Sequence, residues 1–120
     1  MGTQHATGFG YGILVSAKEL EKVLTPAMQQ QLEEGYVDCE LPEVLGYDKV
    51  AGESVGNSWT DYRFVFFGIK STMVEDYDYF TPAVPTATFT ETELTEFNTF
   101  LAEVRLQEQV QGWRAWSYEG

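Results

Sequence analysis

The chain has 120 residues, a length that fits one domain and can bury a core without disulfide or metal cross-links. Its 8 Phe, 7 Tyr and 3 Trp residues argue against intrinsic disorder, because disordered chains are poor in aromatic side chains. With 19 acidic and 7 basic residues the formal net charge is −12, whereas small domains usually carry a magnitude of roughly 2–8. This charge argues against direct binding to nucleic acid or to an anionic membrane, since phosphate groups are bound by Lys and Arg.

Cys39 is the single cysteine and His5 the single histidine. A lone cysteine excludes an intrachain disulfide and fits a reducing compartment, so we expect a cytoplasmic protein. A zinc site needs more Cys and His side chains than the chain has. Cys-His or Ser-His catalysis would depend on His5, which lies near an N-terminus that we expect to be flexible. There is no signal-peptide pattern, and no apolar run reaches the roughly 20 residues that span a bilayer.

The first predicted strand follows a polar segment, residues 1–7, that we expect to be flexible; residues 8–120 are predicted to form a single domain. From Gly8 to Val15 bulky side chains alternate with glycines, which predicts a strand with one aromatic face and one nearly bare face. A bare face indicates close packing by another group, and we expect a helix of the same domain there.

Helix-start signals follow this strand directly. Ser16 and Glu19 form a capping box, and Thr25-Pro26 is a second N-terminal signal. They predict two short helices, or one kinked helix, over residues 17–34, ended at Gly35.

The pattern in the middle of the chain predicts strands separated by a loop. Alternation predicts a strand over residues 36–41, and Pro and Gly residues predict a loop over 42–58. Residues 59–69 predict a central strand, because its centre is apolar on both faces. Residues 86–89 predict a short strand.

The last part of the chain predicts a helix followed by a strand. Thr90 and Glu93 form a second capping box that opens an amphipathic helix running to about Gln109, and residues 113–118 predict the final strand. Together these elements predict an α+β fold, with a small mixed or antiparallel sheet of about four strands covered by two or three helices.

No motif for catalysis or cofactor binding is present, so we expect neither an enzyme nor a bound cofactor or metal. The glycines of the first strand do not form a dinucleotide-binding fingerprint, because Ile13 stands where its third glycine belongs. The acids at 75, 76 and 78 supply oxygen ligands but lack the spacing of a calcium-binding loop.

The distribution of charge is more informative than any motif. Thirteen of the 19 acids fall in two stretches without a basic residue, between Lys22 and Lys49 and between Lys70 and Arg105. Rows of carboxylates on rigid elements can imitate a phosphate backbone and so attract a basic, nucleic-acid-binding protein. The alternative is an acidic surface that serves solubility alone.

This interpretation predicts an interaction surface with two kinds of residue. Its acidic face comprises Glu33, Glu34, Asp38, Glu40, Glu43, Glu75, Asp76, Asp78, Glu93 and Glu96. Aromatic residues in or beside the acidic stretches are favoured interface anchors, and we select Tyr36, Tyr77 and Tyr79.

The chain resembles the small orphan proteins of tailed bacteriophages, through the Gly8–Ile13 strand, the Ser16–Glu19 capped helix and the acidic, aromatic-rich composition. Such proteins include DNA mimics that block restriction or CRISPR nucleases, which implies an inhibitor acting on a basic host protein. Two alternatives stay open: a protein that binds or sequesters a small ligand on the glycine face, and a minor structural protein of the virion. The sequence leaves the oligomeric state open, a homodimer included.

Overall fold

The computed structural model describes residues 5–33, 40–56, 63–76 and 88–119, which form an antiparallel sheet of five strands and four helices. The strands are β1 (His5–Ser16), β2 (Val50–Gly56), β3 (Arg63–Ile69), β4 (Val74–Asp76) and β5 (Gly112–Glu119). The helices are α1 (Ala17–Val23), α2 (Pro26–Glu33), α3 (Leu41–Val44) and α4 (Glu91–Glu103), with a 3-10 turn at Lys70–Thr72. The predicted α+β fold is confirmed.

β1 is the central strand of the sheet. Its second half pairs with β3, and its first half pairs with β4, which continues along the same edge after the 3-10 turn. On the opposite edge, β5 pairs with β1 from His5 to Gly12, and β2 extends the sheet beyond β3. β1 therefore begins at His5, inside the segment 1–7; the flexibility of that segment stays a prediction.

The main core lies between one face of the sheet and α4. Val65, Phe67 and Ile69 of β3 are buried on this face. This fits the prediction that the strand within residues 59–69 lies inside the sheet, and β3 indeed lies between β2 and β1. Phe100 of α4 packs on Phe67 with ring centroids 5.2 Å apart at 65°, the edge-to-face geometry that aromatic pairs prefer. Leu20 of α1 belongs to the same fully buried cluster, so the helices that follow β1 close the core.

The opposite face of the sheet carries the glycines of β1, and an aromatic ring covers it. A Cβ placed on Gly68 would lie 2.6 Å from Cε1 of Phe66, and one on Gly10 would lie 3.4 Å from the same atom and 3.0 Å from Cγ of Met73. Among the described residues, the groups that cover this face at Gly10 and Gly68 are therefore Phe66 and Met73, and not the helix that the sequence predicts. Phe66 and Met73 form a small second core with Val55.

The helix starts occur where the sequence predicts them. Ser16 Oγ accepts a hydrogen bond from the Glu19 amide at 3.2 Å, and Thr25 Oγ1 accepts one from the Met28 amide at 3.3 Å. At Thr90 both halves of the capping box form. Each cap satisfies an amide that the first turn of a helix leaves without a partner.

Two predictions for the middle of the chain are wrong. Residues 40 and 41 do not end a strand: Glu40 is the N-cap of α3, and Pro42, whose fixed φ suits a first helical turn, follows Leu41. The predicted loop 42–58 contains most of α3 and the whole of β2, whose two glycines hide its strand pattern. Residues 36–39 and 57–62 lie outside the described residues.

α4 is shorter than predicted and ends at Glu103. Arg105 has a φ of 60°, the left-handed conformation that closes a helix, and its amide donates to the Ala102 carbonyl at 3.2 Å. Glycine is the usual residue at such a position, and because Arg stands there, no local pattern predicts the end of the helix before Gly112. Of the predicted strand 86–89, residues 88 and 89 have no regular structure and the first two lie outside the described part.

Gly12 is the position where a side chain is least acceptable. A Cβ there would lie 2.0 Å from the Phe67 carbonyl oxygen, a backbone atom that cannot rotate away. Gly12→Ala should lower the free energy of unfolding by about 3 kcal/mol, the upper end for overpacking. Gly112, its partner on the other edge, has open space at its Cβ position, so Gly112→Ala should stay within about 1 kcal/mol of wild type. Urea denaturation measures both; equal effects would show that the approach at Gly12 is not a constraint.

Candidate acidic binding surface

Two surface depressions of about 590 and 550 Å³ meet at the side chain of Tyr47. The first lies between α3, the start of β2 and Lys70, and the second runs along the exposed side of α4. We call the carboxylates that surround Tyr47 the acidic surface: Glu40, Glu43 and Asp48 line the first depression, Glu91 and Glu96 line the second, and Glu103 contacts the Tyr47 hydroxyl. All six side chains are exposed or half-buried.

The turn after α3 places Tyr47 in this position. Gly46 has a φ of 86°, so the chain reverses there in a conformation that glycine adopts without strain. The Tyr47 amide then donates to the Pro42 carbonyl at 2.8 Å. The ring of Tyr47 packs on Phe100 with centroids 5.4 Å apart at 75°, which fixes it against the main core.

Hydrogen bonds hold two carboxylates of α4 against neighbouring elements. The Tyr47 hydroxyl donates to Glu103, and the Lys49 amide donates to Glu96 at 2.6 Å. The hydrogen bond to Glu103, aided by desolvation and by the negative charges of Glu103 and Glu96, raises the pKa of Tyr47 to about 12. Tyr47 therefore stays neutral and keeps its hydroxyl proton at physiological pH.

Glu93 also lies in α4 but is not part of the acidic surface, because its carboxylate contacts the 3-10 turn. Its carboxylate accepts a hydrogen bond from the Ser71 hydroxyl, and its other oxygen accepts from the Thr90 amide at 3.0 Å. The Ser71 hydrogen bond, followed by those from Thr90, lowers the pKa of Glu93, and the charge of Lys49 adds to the shift. Glu93 thus joins α4 to the 3-10 turn and has a structural role.

The described residues bring together three members of the predicted acidic face. Glu40, Glu43 and Glu96 come from two helices and meet around Tyr47. The others lie elsewhere or are not described: Glu33 ends α2, Glu75 and Asp76 lie in β4 beside the first half of β1, and Glu34, Asp38, Asp78, Tyr36, Tyr77 and Tyr79 lie outside the described residues.

The predicted surface missed four residues: Tyr47, Asp48, Glu91 and Glu103. The position of Glu103 could have been found, because it lies seven residues after Glu96 and therefore on the same side of a helix. Tyr47 lies in the first stretch without a basic residue and so meets the criterion used for the aromatic anchors, but its place at the centre depends on the unpredicted turn after α3.

The part of the chain that the structure describes contains no group of three or more His, Cys, Asp or Glu side chains that could hold a metal ion. Within the same residues, no helix has both the length and the apolar character that crossing a bilayer requires. Comparison with protein-family models, curated proteins and solved structures finds no match to this chain.

The titration of Tyr47 tests the contacts of the acidic surface. Tyr47 should titrate near pH 12 in the folded protein, assigned through Tyr47→Phe in NMR spectra of the tyrosine rings. Glu103→Ala removes the hydrogen bond and the nearest charge, so the pKa should fall towards the usual value of about 10. Glu96→Gln removes only a weaker repulsion and should lower the pKa less. A larger effect of Glu96→Gln than of Glu103→Ala would contradict the geometry.

The raised pKa of Tyr47 also determines how the free energy of unfolding depends on pH. The folded state holds the proton more tightly than the unfolded chain, so the contribution is complete below the unfolded pKa of about 10. It is lost as pH rises through the folded value of about 12.

Glu93 should show the opposite dependence, because its pKa is lowered in the folded state. Its contribution to stability is present at neutral pH and is lost as pH falls through the folded pKa. Ser71→Ala should raise the pKa of Glu93, as followed by carboxyl-carbon NMR. Thr92→Ala, an exposed change on the same helix, serves as the control. If both variants leave the Glu93 titration unchanged, the contact with Ser71 does not form in solution.

Proposed function

We propose that this protein acts by binding rather than by catalysis, and that its acidic surface engages a basic protein of the kind that handles nucleic acid. The observation that carries the proposal is the convergence of six carboxylates, from α3, the following turn and α4, around the single aromatic side chain of Tyr47. In the part of the chain that the structure describes, Lys49 and Lys70 are the basic residues beside them, so negative charge dominates the described surface.

A surface of this kind suits recognition by a cationic groove. Glu96 and Glu103 are held by hydrogen bonds, so part of the negative charge has a fixed position when a partner arrives. A preorganised field of one sign accelerates association and makes it sensitive to salt. Tyr47 supplies an aromatic anchor at the centre of the charge, and tyrosine is enriched among residues that dominate binding energy.

The partner that fits this surface best is a protein whose Lys and Arg side chains normally hold phosphate groups. The same side chains would bind the carboxylates of the acidic surface in place of phosphates. The resemblance to small phage proteins extends the proposal to an inhibitor of a nuclease or another defence protein in the bacterial cytoplasm. The small-ligand alternative gains no support from the glycine face, since Phe66 and Met73 cover it at Gly10 and Gly68.

Capture from bacterial lysate, followed by measurement of binding to the purified partner, tests this proposal. We expect a basic nucleic-acid-binding protein that is retained at about 50 mM salt and largely lost at about 200 mM. Neutralising Glu43, Asp48 and Glu96 as Gln, Asn and Gln should slow association about tenfold and flatten the salt dependence. Excess DNA should compete for the partner.

A second triple variant is the control, because it removes three negative charges outside the acidic surface. Glu19, Glu21 and Glu108 lie on α1 and in the turn after α4, and their replacement by Gln should leave binding nearly unchanged. Equal loss in both variants would mean that only net charge matters, and the assignment of the acidic surface would be wrong. A partner that binds equally well at high salt, or that DNA does not displace, would overturn the nucleic-acid-mimic proposal.

A further inference from the structure

An aromatic platform lies on the main-core face of the sheet, where β1 and β5 pair. The Trp113 ring stacks on Phe9 with centroids 5.4 Å apart at 13°, and it meets Tyr11 edge-on at 5.6 Å. Phe89, just before α4, contacts both Tyr11 and Trp113. We call these four rings the aromatic platform; Val110 lies three residues before Trp113 in the chain. Trp113 is 45% exposed and Val110 is 76% exposed, although large apolar side chains are normally covered.

Two amide side chains border the platform. Gln111 lies just before β5, and its contact with the Tyr11 hydroxyl places its amide beside the rings. Gln111 accepts a hydrogen bond from the Tyr11 hydroxyl at 3.4 Å and donates one to Asn98 of α4 at 2.7 Å. These contacts hold both amides beside the rings, and each amide group keeps further hydrogen-bonding capacity towards solvent.

The exposed apolar area is too small to hold a second copy of the chain. A large aromatic side chain offers up to about 250 Å², so the exposed part of Trp113 is roughly 110 Å². Even with Val110 this is far below the roughly 800 Å² that each partner buries in a stable interface. Two copies, each with a net charge of −12, would also repel one another.

The chemistry of the platform favours a small neutral ligand with one flat apolar face and polar groups around its rim. The four rings of the platform and the two amides carry no charge, and Arg114, whose Nη2 donates to the Val110 carbonyl at 3.0 Å, follows Trp113 in β5 and so lies on the opposite face of the strand. The negative face of an aromatic ring attracts the weakly positive hydrogens of C–H groups. A pyranose ring with equatorial hydroxyls presents such hydrogens on its face and hydroxyls at its edge.

We propose that the aromatic platform binds neutral oligosaccharides, with one pyranose ring stacked on Trp113 and its hydroxyls hydrogen-bonded to the Asn98 and Gln111 amides. Small-molecule sites combine aromatic surface with a few placed polar groups in this way. Because the site is open and offers one stacking ring, affinity is weak, with a Kd on the order of 1 mM. This activity is independent of the acidic surface.

Titration of the folded protein with cellotriose, a neutral β-linked glucose trimer, tests the proposal by NMR. The Trp113 indole N–H, assigned through Trp113→Phe, should shift together with the side-chain amides of Asn98 and Gln111. Trp113→Ala should weaken binding about tenfold or more, since it removes the stacking surface. The double variant Asn98→Ala, Gln111→Ala changes exposed or half-buried side chains and should also weaken binding while the core remains intact.

Phe64→Ala is the matched control, because Phe64 is 38% exposed and lies on the opposite face of the sheet. It should leave the titration unchanged. The proposal is overturned if cellotriose does not shift the Trp113 signal, or if Trp113→Phe, Trp113→Ala and the double amide variant all bind as the wild type does. It is also overturned if the Trp113 signal moves with protein concentration instead of sugar, since a second copy would then occupy the platform.

Discussion

The packing of Phe100 is the interaction on which both the fold and the acidic surface depend. This fully buried ring of α4 contacts Phe67 in the centre of the sheet on one side and Tyr47 in the turn after α3 on the other. Buried aromatic side chains contribute a large share of core energetics because of their contact area. The same ring therefore fixes α4 against the sheet and fixes Tyr47 against α4, which sets the separation between the carboxylates of the two segments.

Gathering negative charge on one surface opposes folding, and local hydrogen bonds offset that cost. Glu96 accepts from the Lys49 amide, and Glu103 accepts from the Tyr47 hydroxyl. Hydrogen bonds to a charged acceptor are stronger than neutral ones, so each contact offsets part of the repulsion between the carboxylates. The remaining carboxylates are exposed, where water and salt screen their repulsion. The protein thereby keeps a concentrated charge without burying an unpaired one.

The sequence predicts those features whose signals are local. The signals for the caps at Ser16, Thr25 and Thr90 each lie within four residues, and these caps occur where predicted. The alternation from Gly8 to Val15 correctly predicted a strand, but β1 begins three residues earlier, at His5. Features set by distant contacts were missed. β2 contains two glycines and becomes a strand because β3 offers a partner along its whole length.

The candidate site follows the same rule. Charge composition along the chain predicted that Glu40, Glu43 and Glu96 belong to one surface, and they do line adjoining depressions. No local pattern shows that Tyr47 stands at their meeting point, because its place depends on the left-handed Gly46 and on the Phe100 ring. The sequence can therefore predict that a surface built from three elements is acidic, but it cannot predict which residue lies at the centre of that surface.

The geometry of α4 explains why the two candidate surfaces are separate. Glu96 and Asn98 are two residues apart, and a helix turns about 100° per residue, so their side chains leave the axis about 200° apart. Glu96 contacts Lys49, just before β2, whereas Asn98 contacts Gln111, just before β5. Glu103, seven residues after Glu96, shares the side of Glu96, whereas Glu91, seven residues before Asn98, lies on the side of Asn98. The two carboxylates that hydrogen bonds hold in place, Glu96 and Glu103, therefore leave the helix away from the Asn98 amide that borders the aromatic platform. A neutral ligand and a cationic partner would thus bind at different places.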